Sequence, residues 1–479
     1  MSQAYSLTRN SFDYNLKKSR LFQVMFFAIS LILLTSGCAH YPLNEALEQY
    51  DPDSGYRGKN TIDTEAANDL LMYLTFSGGG TRAAAFSYGL LEELKKTEVM
   101  IHGKKALLID EVDAISAVSG GSFTAGYYGL FGDQIFLDFE SKFLKKNISG
   151  ALSSRMFFNP YNWARLFSPT FDRSDLAAEY YNQYVFDGGT FGDMASRKGP
   201  MVHINATDMV TGIRMSFNQG AFDVICSDVS SFPVARAAAA SSAVPVLLTP
   251  VTLRNYSGTC GFEMPEVLKK VLKEHDTTKR QFHYVNNLKP YLDAKKKKYL
   301  HLVDGGVADN LGLRTALDKV TLFGDFWTTL KVNGLENMHK VVIITMNAET
   351  QADTDLSLVA KLPGIGDMLD SYSSIAVTRY NYETIMLLRE SFHRWTKEVR
   401  QGRCAGGPVS TEPGACGDIE FYLIEVKFDA LQDENERVYF KRLPTSFKLS
   451  EKEVDELREV ASRLLNESPE YQRLLSDLK

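Results

Sequence analysis

The chain has 479 residues, 44% of them hydrophobic and 23% charged, a globular balance with length for one large domain or two to three ordinary ones. Its net charge of −6 at pH 7 gives no overall basic signature for nucleic acid. The one strong basic run, Lys295-Lys296-Lys297-Lys298, lies in a polar stretch and reads as a solvated loop rather than a binding patch.

Residues 1–37 read as a targeting segment. Lys17, Lys18 and Arg20 make a basic flank, residues 21–34 are mostly apolar, and Thr35-Ser36-Gly37-Cys38 follows. The apolar run is shorter than the about 20 residues of a membrane span and has the length of a signal-peptide core. Its ending resembles a bacterial lipoprotein lipobox, in which the Cys is acylated, with Thr35 where that motif usually has Leu. The resemblance implies lipidation at Cys38. Ala39 behind it implies outer-membrane sorting in a bacterial cell envelope, facing the periplasm. An uncleaved anchor is the alternative, and either reading tethers the chain to a membrane. Residues 38–70 are polar, with Pro and Gly, and are expected as a linker.

From residue 71 onward, apolar runs alternate with helical patterns. Buried strands are expected at 71–76, 114–118, 201–206, 299–303 and 341–346, and helices at 122–130 and 236–242. That alternation predicts an α/β fold around a mostly parallel sheet flanked by helices on both faces. The stretch 157–191 carries eleven aromatic residues without a clean period. It reads either as a subdomain packing its own core or as a lid or lipid-facing wall. Further on, Ile385, Leu388, Phe392 and Trp395 share a helical face, 419–428 alternates as a half-buried strand, and Val454, Leu457, Leu464 and Leu465 mark a final amphipathic helix. Residues 71–350 are taken as the main domain and 351–479 as an extension packed on it, since no second domain separates by composition. Beyond Cys38, four cysteines allow three connectivities; Cys226 with Cys260 and Cys404 with Cys416 are the natural pairs. No Cys/His spacing suggests zinc, and neither metal nor cofactor is expected.

Three motifs carry chemistry. The first is Ser77-Gly78-Gly79-Gly80-Thr81-Arg82, between a strand and a helix. Glycine permits the sharp turn and close approach of a ligand, and the first amides of the helix have no intrahelical partner, so they hold an oxygen bearing negative charge. Gly78-x-Gly80-x-x-Ala83, with Glu98 about 20 residues on, also fits a dinucleotide fingerprint, so this motif alone does not decide. In the second, Ser116-Ala117-Val118-Ser119-Gly120-Gly121-Ser122, a strand ends at Ser119 and small residues lead into a helix, the context of a nucleophile elbow. The third is Asp304-Gly305-Gly306-Val307-Ala308-Asp309-Asn310, with the carboxylate at a strand end, where open α/β sheets build their sites.

In this order the three motifs resemble the patatin-like phospholipases, and the glycine loop is also similar to that of cytosolic phospholipases A. Asn205-Ala206-Thr207-Asp208 with Thr211-Gly212, and Ala240-Ser241-Ser242-Ala243-Val244-Pro245, agree with the same family. The departures are Ala117 for the first Gly of the serine motif and Ala83 for the Gly that often ends the glycine loop. The resemblance covers about residues 71–346 and implies a patatin-like three-layer fold. It implies Ser119 as nucleophile, Asp304 as its base, Gly78, Gly79 and Gly80 as the oxyanion loop, and Gly121, Gly305 and Gly306 as motif glycines. It also implies Arg82 as a ligand of the lipid phosphate. A dyad needs no histidine, and His301 would point away from Asp304 along its strand. The expectation is a membrane-tethered serine acyl hydrolase acting on phospholipid, of open oligomeric state. The alternatives are an envelope lipoprotein of the same fold that is non-catalytic or transfers acyl groups, and a dinucleotide oxidoreductase, which would need a cytoplasmic cofactor pool.

Overall fold

The structure is a computed structural model, described here for residues 23, 39–62, 70–101, 103–244, 248–350, 360, 362–404 and 417–479. Cys38, Pro245, Cys416 and nearly all of the expected signal segment lie outside the described residues.

The strands are β1 (Leu70–Phe76), β2 (Glu98–Ile101), β3 (Lys104–Leu107), β4 (Val112–Val118), β5 (Met201–Asp208), β6 (Arg214–Ser216), β7 (Val251–Arg254), β8 (Tyr299–Val303), β9 (Lys340–Asn347) and β10 (Glu420–Lys427). Eight of them form one sheet in the order β10-β9-β1-β4-β5-β8-β7, with β6 beside β5, while β2 and β3 make a separate hairpin. Strands β10, β9, β1, β4 and β5 run parallel. Parallel strands are covered on both faces, which is why β9 reads as the unbroken apolar run Val341-Val342-Ile343-Ile344. Its side chains nevertheless alternate. Val342, Ile344 and Met346 enter a core with Phe86, Leu90 and Phe123, whereas Val341 and Ile343 enter another with Leu388 and Trp395.

The helices that matter here are α1 (Gly80–Lys96), α2 (Gly120–Phe131), α3 (Ile148–Phe157), α4 (Pro160–Leu166), α5 (Arg173–Tyr184), α6 (Val234–Ser241), α7 (Ile365–Arg403) and α8 (Glu451–Asn466). Helix α8 opens with a capping box between Ser450 and Glu453 and buries Val454, Leu457, Val460, Ala461 and Leu464 on one stripe. It lies against α1 at Gly89, where a Cβ would stand 2.5 Å from the Arg458 carbonyl oxygen. Thus the last third of the chain supplies both a sheet strand and a layer helix to the same body.

Four local expectations change. Strand 299–303 forms but is antiparallel: β8 meets β5 only at Val303↔Thr207 and Leu302↔Asp208. The expected linker is docked rather than loose. Asn44 donates to the Ser227 hydroxyl (2.8 Å) and the Arg254 carbonyl (2.9 Å) and accepts from the Arg254 N–H (2.7 Å), and Tyr56 is buried. Lys297 is buried on Asp208 at 2.6 Å instead of solvated, because Asp208 sits at zero exposure and needs a counter-charge. The aromatic stretch is divided: Phe171, Tyr180, Tyr181, Phe186 and Phe191 are core, while Phe157, Phe158, Tyr161, Trp163 and Phe167 are exposed. A disulfide joins Cys226 and Cys260, and Cys404 is disulfide-bonded as well.

Candidate active site

Ser119 caps the N-terminus of α2 directly after β4, with φ 50° and ψ −121°. A positive φ at a non-glycine residue is a strained conformation that the surroundings must hold. Here Ser241 holds it: its Oγ accepts from the Ser119 N–H (2.8 Å) and donates to the Asn205 carbonyl (2.6 Å). The turn also needs small neighbours. A Cβ on Gly120 would lie 2.0 Å from the Gly80 carbonyl oxygen, and one on Gly121 would lie 2.7 Å from Phe76 Cβ.

Asp304 reaches the same place from the opposite direction. Because β8 runs back toward β5, its end brings Asp304 level with the C-terminal edge of β4. The Ser119 hydroxyl donates to Asp304 Oδ2 at 2.8 Å, and the Gly306 N–H donates to Oδ1 at 2.7 Å. The backbone of this turn is fixed from three sides: Asp304 N–H donates to Ala243 C=O (3.0 Å), Gly305 N–H to Ser241 C=O (3.0 Å), and Thr207 Oγ1 to Asp304 C=O (2.9 Å). Gly305 abuts Asn205, where a Cβ would be 2.2 Å from the carbonyl oxygen. Burial pushes the Asp304 carboxyl up to about 6, against the downward pull of the Gly306 N–H and the Ser119 hydroxyl. It is therefore ionised at neutral pH yet basic enough to receive a proton.

The glycine loop closes the third side. Gly79 (φ 143°) and Gly80 (φ 59°) take conformations that L side chains rarely adopt. A side chain on Gly80 would also strike the Ser446 backbone at 2.5 Å. The Gly78 N–H is used by the Asn310 carbonyl (3.1 Å), and a Cβ on Gly78 would be 3.3 Å from Ser119 Cβ. By contrast, the Gly79 and Gly80 N–H groups have no acceptor among the described residues. They are open donors at a helix N-terminus beside Ser119.

Arg82 corrects an expectation. It is 2% exposed and faces inward, its Nε donating to Ala348 C=O (3.0 Å), Nη1 to Leu443 C=O, and Nη2 to Thr445 Oγ1 (3.0 Å). All three guanidinium nitrogens are committed to protein oxygens, so this side chain ties the loop to the C-terminal third and does not present itself to a phosphate. His301 stays in the β7–β8 ladder, its Nδ1 3.0 Å from Thr252 Oγ1. Ser241, Thr207 and Asn310 were not singled out as site residues, although all three lie in stretches that match the family.

A cavity of about 480 Å³ lies at the end of β8, lined by Val303, Val307, Leu248 and Pro250, with Thr207, Asp208, Arg173 and Met209 at its wall; Ser119 and Asp304 are not among its lining residues. It is mostly apolar, of a size for a hydrocarbon chain. A concavity of about 630 Å³ at Lys95 and Asp133 touches none of the three motifs.

The arrangement offers a hydroxyl on a strained turn, a buried carboxylate as proton acceptor, two open backbone donors and, at the end of β8, an apolar cavity. The family model described as patatin-like phospholipase matches residues 74–317. No curated protein is similar enough to match. Among solved structures, human GIVD cytosolic phospholipase A2 aligns at 11% identity and TM-score 0.44, over 88% of this chain and 65% of that one.

Proposed function

Because this chain belongs to the patatin-like phospholipase family, and so to the lipid hydrolases, we propose that it is a membrane-tethered serine acyl hydrolase that cleaves the acyl esters of phospholipid. The observation that carries the reading is the 2.8 Å hydrogen bond from Ser119 Oγ to Asp304 on a strained elbow. In this mechanism Asp304 takes the hydroxyl proton as Oγ attacks the ester carbonyl. The developing oxyanion is received by the N–H groups of Gly79 and Gly80, each such donor being worth about 2.7–4 kcal/mol in the transition state. Collapse expels the lyso-lipid alcohol, which takes the proton from Asp304. Water then enters and gives its proton to Asp304 as its oxygen attacks the acyl carbon; the acyl–Oγ bond breaks, Ser119 Oγ takes that proton back from Asp304, and the fatty acid leaves. The cavity at the end of β8 takes the acyl chain. Cys38 carries the lipid anchor, and the site of action is the bacterial envelope, at the outer membrane facing the periplasm.

The test is labelling of the folded protein with a fluorophosphonate and mapping of the modified residue. Modification at Ser119, with fatty-acid release falling at least about 10⁴-fold in Ser119→Ala, is the expected result. Equal release by the variant and the parent chain would overturn the reading.

A further inference from the structure

The end of α3 and all of α4 expose Phe157, Phe158, Tyr161, Trp163 and Phe167, with Phe158 81% and Trp163 44% open. Together the five rings expose apolar area on the order of 600 Å² within eleven consecutive residues, 157–167. Aromatic side chains of this kind favour the boundary between hydrocarbon and water.

What covers this surface is indicated by the chain next to it. Directly after Phe167, Ser168 Oγ and Thr170 Oγ1 (3.2 Å) both donate to the Ala39 carbonyl, and Tyr41 N–H donates to Thr170 C=O at 2.7 Å. Tyr41 is buried, with the Arg236 guanidinium over its ring. Ala39, the residue that follows Cys38 in the sequence, is thus held by Ser168 and Thr170, directly after Phe167 in the chain. The same turn leads to the cavity at Val303 and Val307: Arg173, which opens α5, lines it, and Ser174 Oγ donates to the carbonyl of Thr249, another lining residue.

We propose that Phe157, Phe158, Tyr161, Trp163 and Phe167 insert into the leaflet that holds the lipid on Cys38, so that the docked residues 39–41 fix one orientation of the body on the membrane. This rests on the reading of the chain as a lipid-anchored acyl hydrolase. Tether and aromatic side chains act as two contacts: the first holds the chain at the leaflet and the second sets which side of the body faces it. Orientation follows because the two contacts are adjacent and one of them is broad. Lipid then enters the cavity from the side on which the body rests.

The full lipidated chain is reconstituted in phosphatidylcholine vesicles, with and without bromine on the acyl chains near the headgroup. Bromine quenches tryptophan only on contact. Of the three tryptophans, Trp395 is buried and Trp327 packs on Gly402, which leaves Trp163 to report. The expected result is loss of most of the Trp163 emission in brominated vesicles, and no such loss in Trp163→Phe. Co-sedimentation with unchanged emission overturns the insertion and leaves the tether standing. A second copy of the chain covering the patch gives that same negative result. Failure to co-sediment overturns both tether and insertion. Fluorophosphonate labelling in the same sample separates the enzymatic reading: quenching without labelling supports insertion and removes the hydrolase.

Discussion

The strand-end site and the aromatic surface at residues 157–167 reverse each other's burial. At the first, Ser119, Ser241 and Asp304 are sealed from solvent; at the second, Phe157, Phe158 and Phe167 stand in it. The side chains of Ser119, Ser241 and Asp304 each have a named partner, because a buried polar atom without one costs about 1–3 kcal/mol, and the Gly79 and Gly80 N–H groups of the site stand open among the described residues. The rings at the surface make few demands on the fold. Precision is therefore built into the polar region, and tolerance is left at the apolar one.

The sharpest way to break that comparison is Gly120→Ala. Its methyl would meet the Gly80 carbonyl oxygen at 2.0 Å, pushing the elbow and the glycine loop apart. Hydrolysis of a soluble ester is expected to fall about 10²–10³-fold, comparable to losing an oxyanion donor. Unchanged activity would mean that the two loops need not touch.

Asp304 sharpens it through pH. With its carboxyl raised to about 6, the base is lost as pH falls, so kcat/KM should drop about tenfold per pH unit below 6. The stability sign is opposite. A raised carboxyl favours the folded state while protonated, fully below about 4, and that contribution is lost as pH rises through about 6. Asp304→Asn should therefore be inactive, yet up to about 3 kcal/mol more stable than the parent at pH 8. Denaturant midpoints at pH 5 and pH 8 check it, and a variant with no gain at pH 8 would refute it.

Asn44→Ala leaves the Arg254 N–H without its acceptor and takes one donor from the Ser227 hydroxyl, which still donates to the Glu45 C=O, and should cost about 1–3 kcal/mol, seen as a lower denaturation midpoint. Phe158→Ser should move that midpoint by less than about 0.5 kcal/mol, since the ring is already open to solvent. A loss as large as that of Asn44→Ala would show the aromatic surface to be structural.

Most of the parallel strands and the three motifs were legible because burial on both faces writes long apolar runs, and glycines mark where backbone meets backbone. What escaped depended on distant partners. The direction of β8 is set by its short overlap with β5 and by β7, and neither alters its own apolar pattern. Arg82 looks like a phosphate ligand beside the glycine loop until residues 443–445 arrive to accept its donors. Residues 39–62 are polar enough for a linker, yet Asn44 spends that polarity on Ser227 and Arg254 rather than on water. Lys297 disappears into the body for the same reason, drawn in by Asp208.

The contact of Gly80 with Ser446 has a consequence in time. Ser119 and Asp304 are 185 residues apart, and Arg82 waits 361 residues for the Leu443 carbonyl. Contacts so distant in sequence form late. A chain still being made holds all three motifs before residues 443–446, which back its glycine loop, have been added.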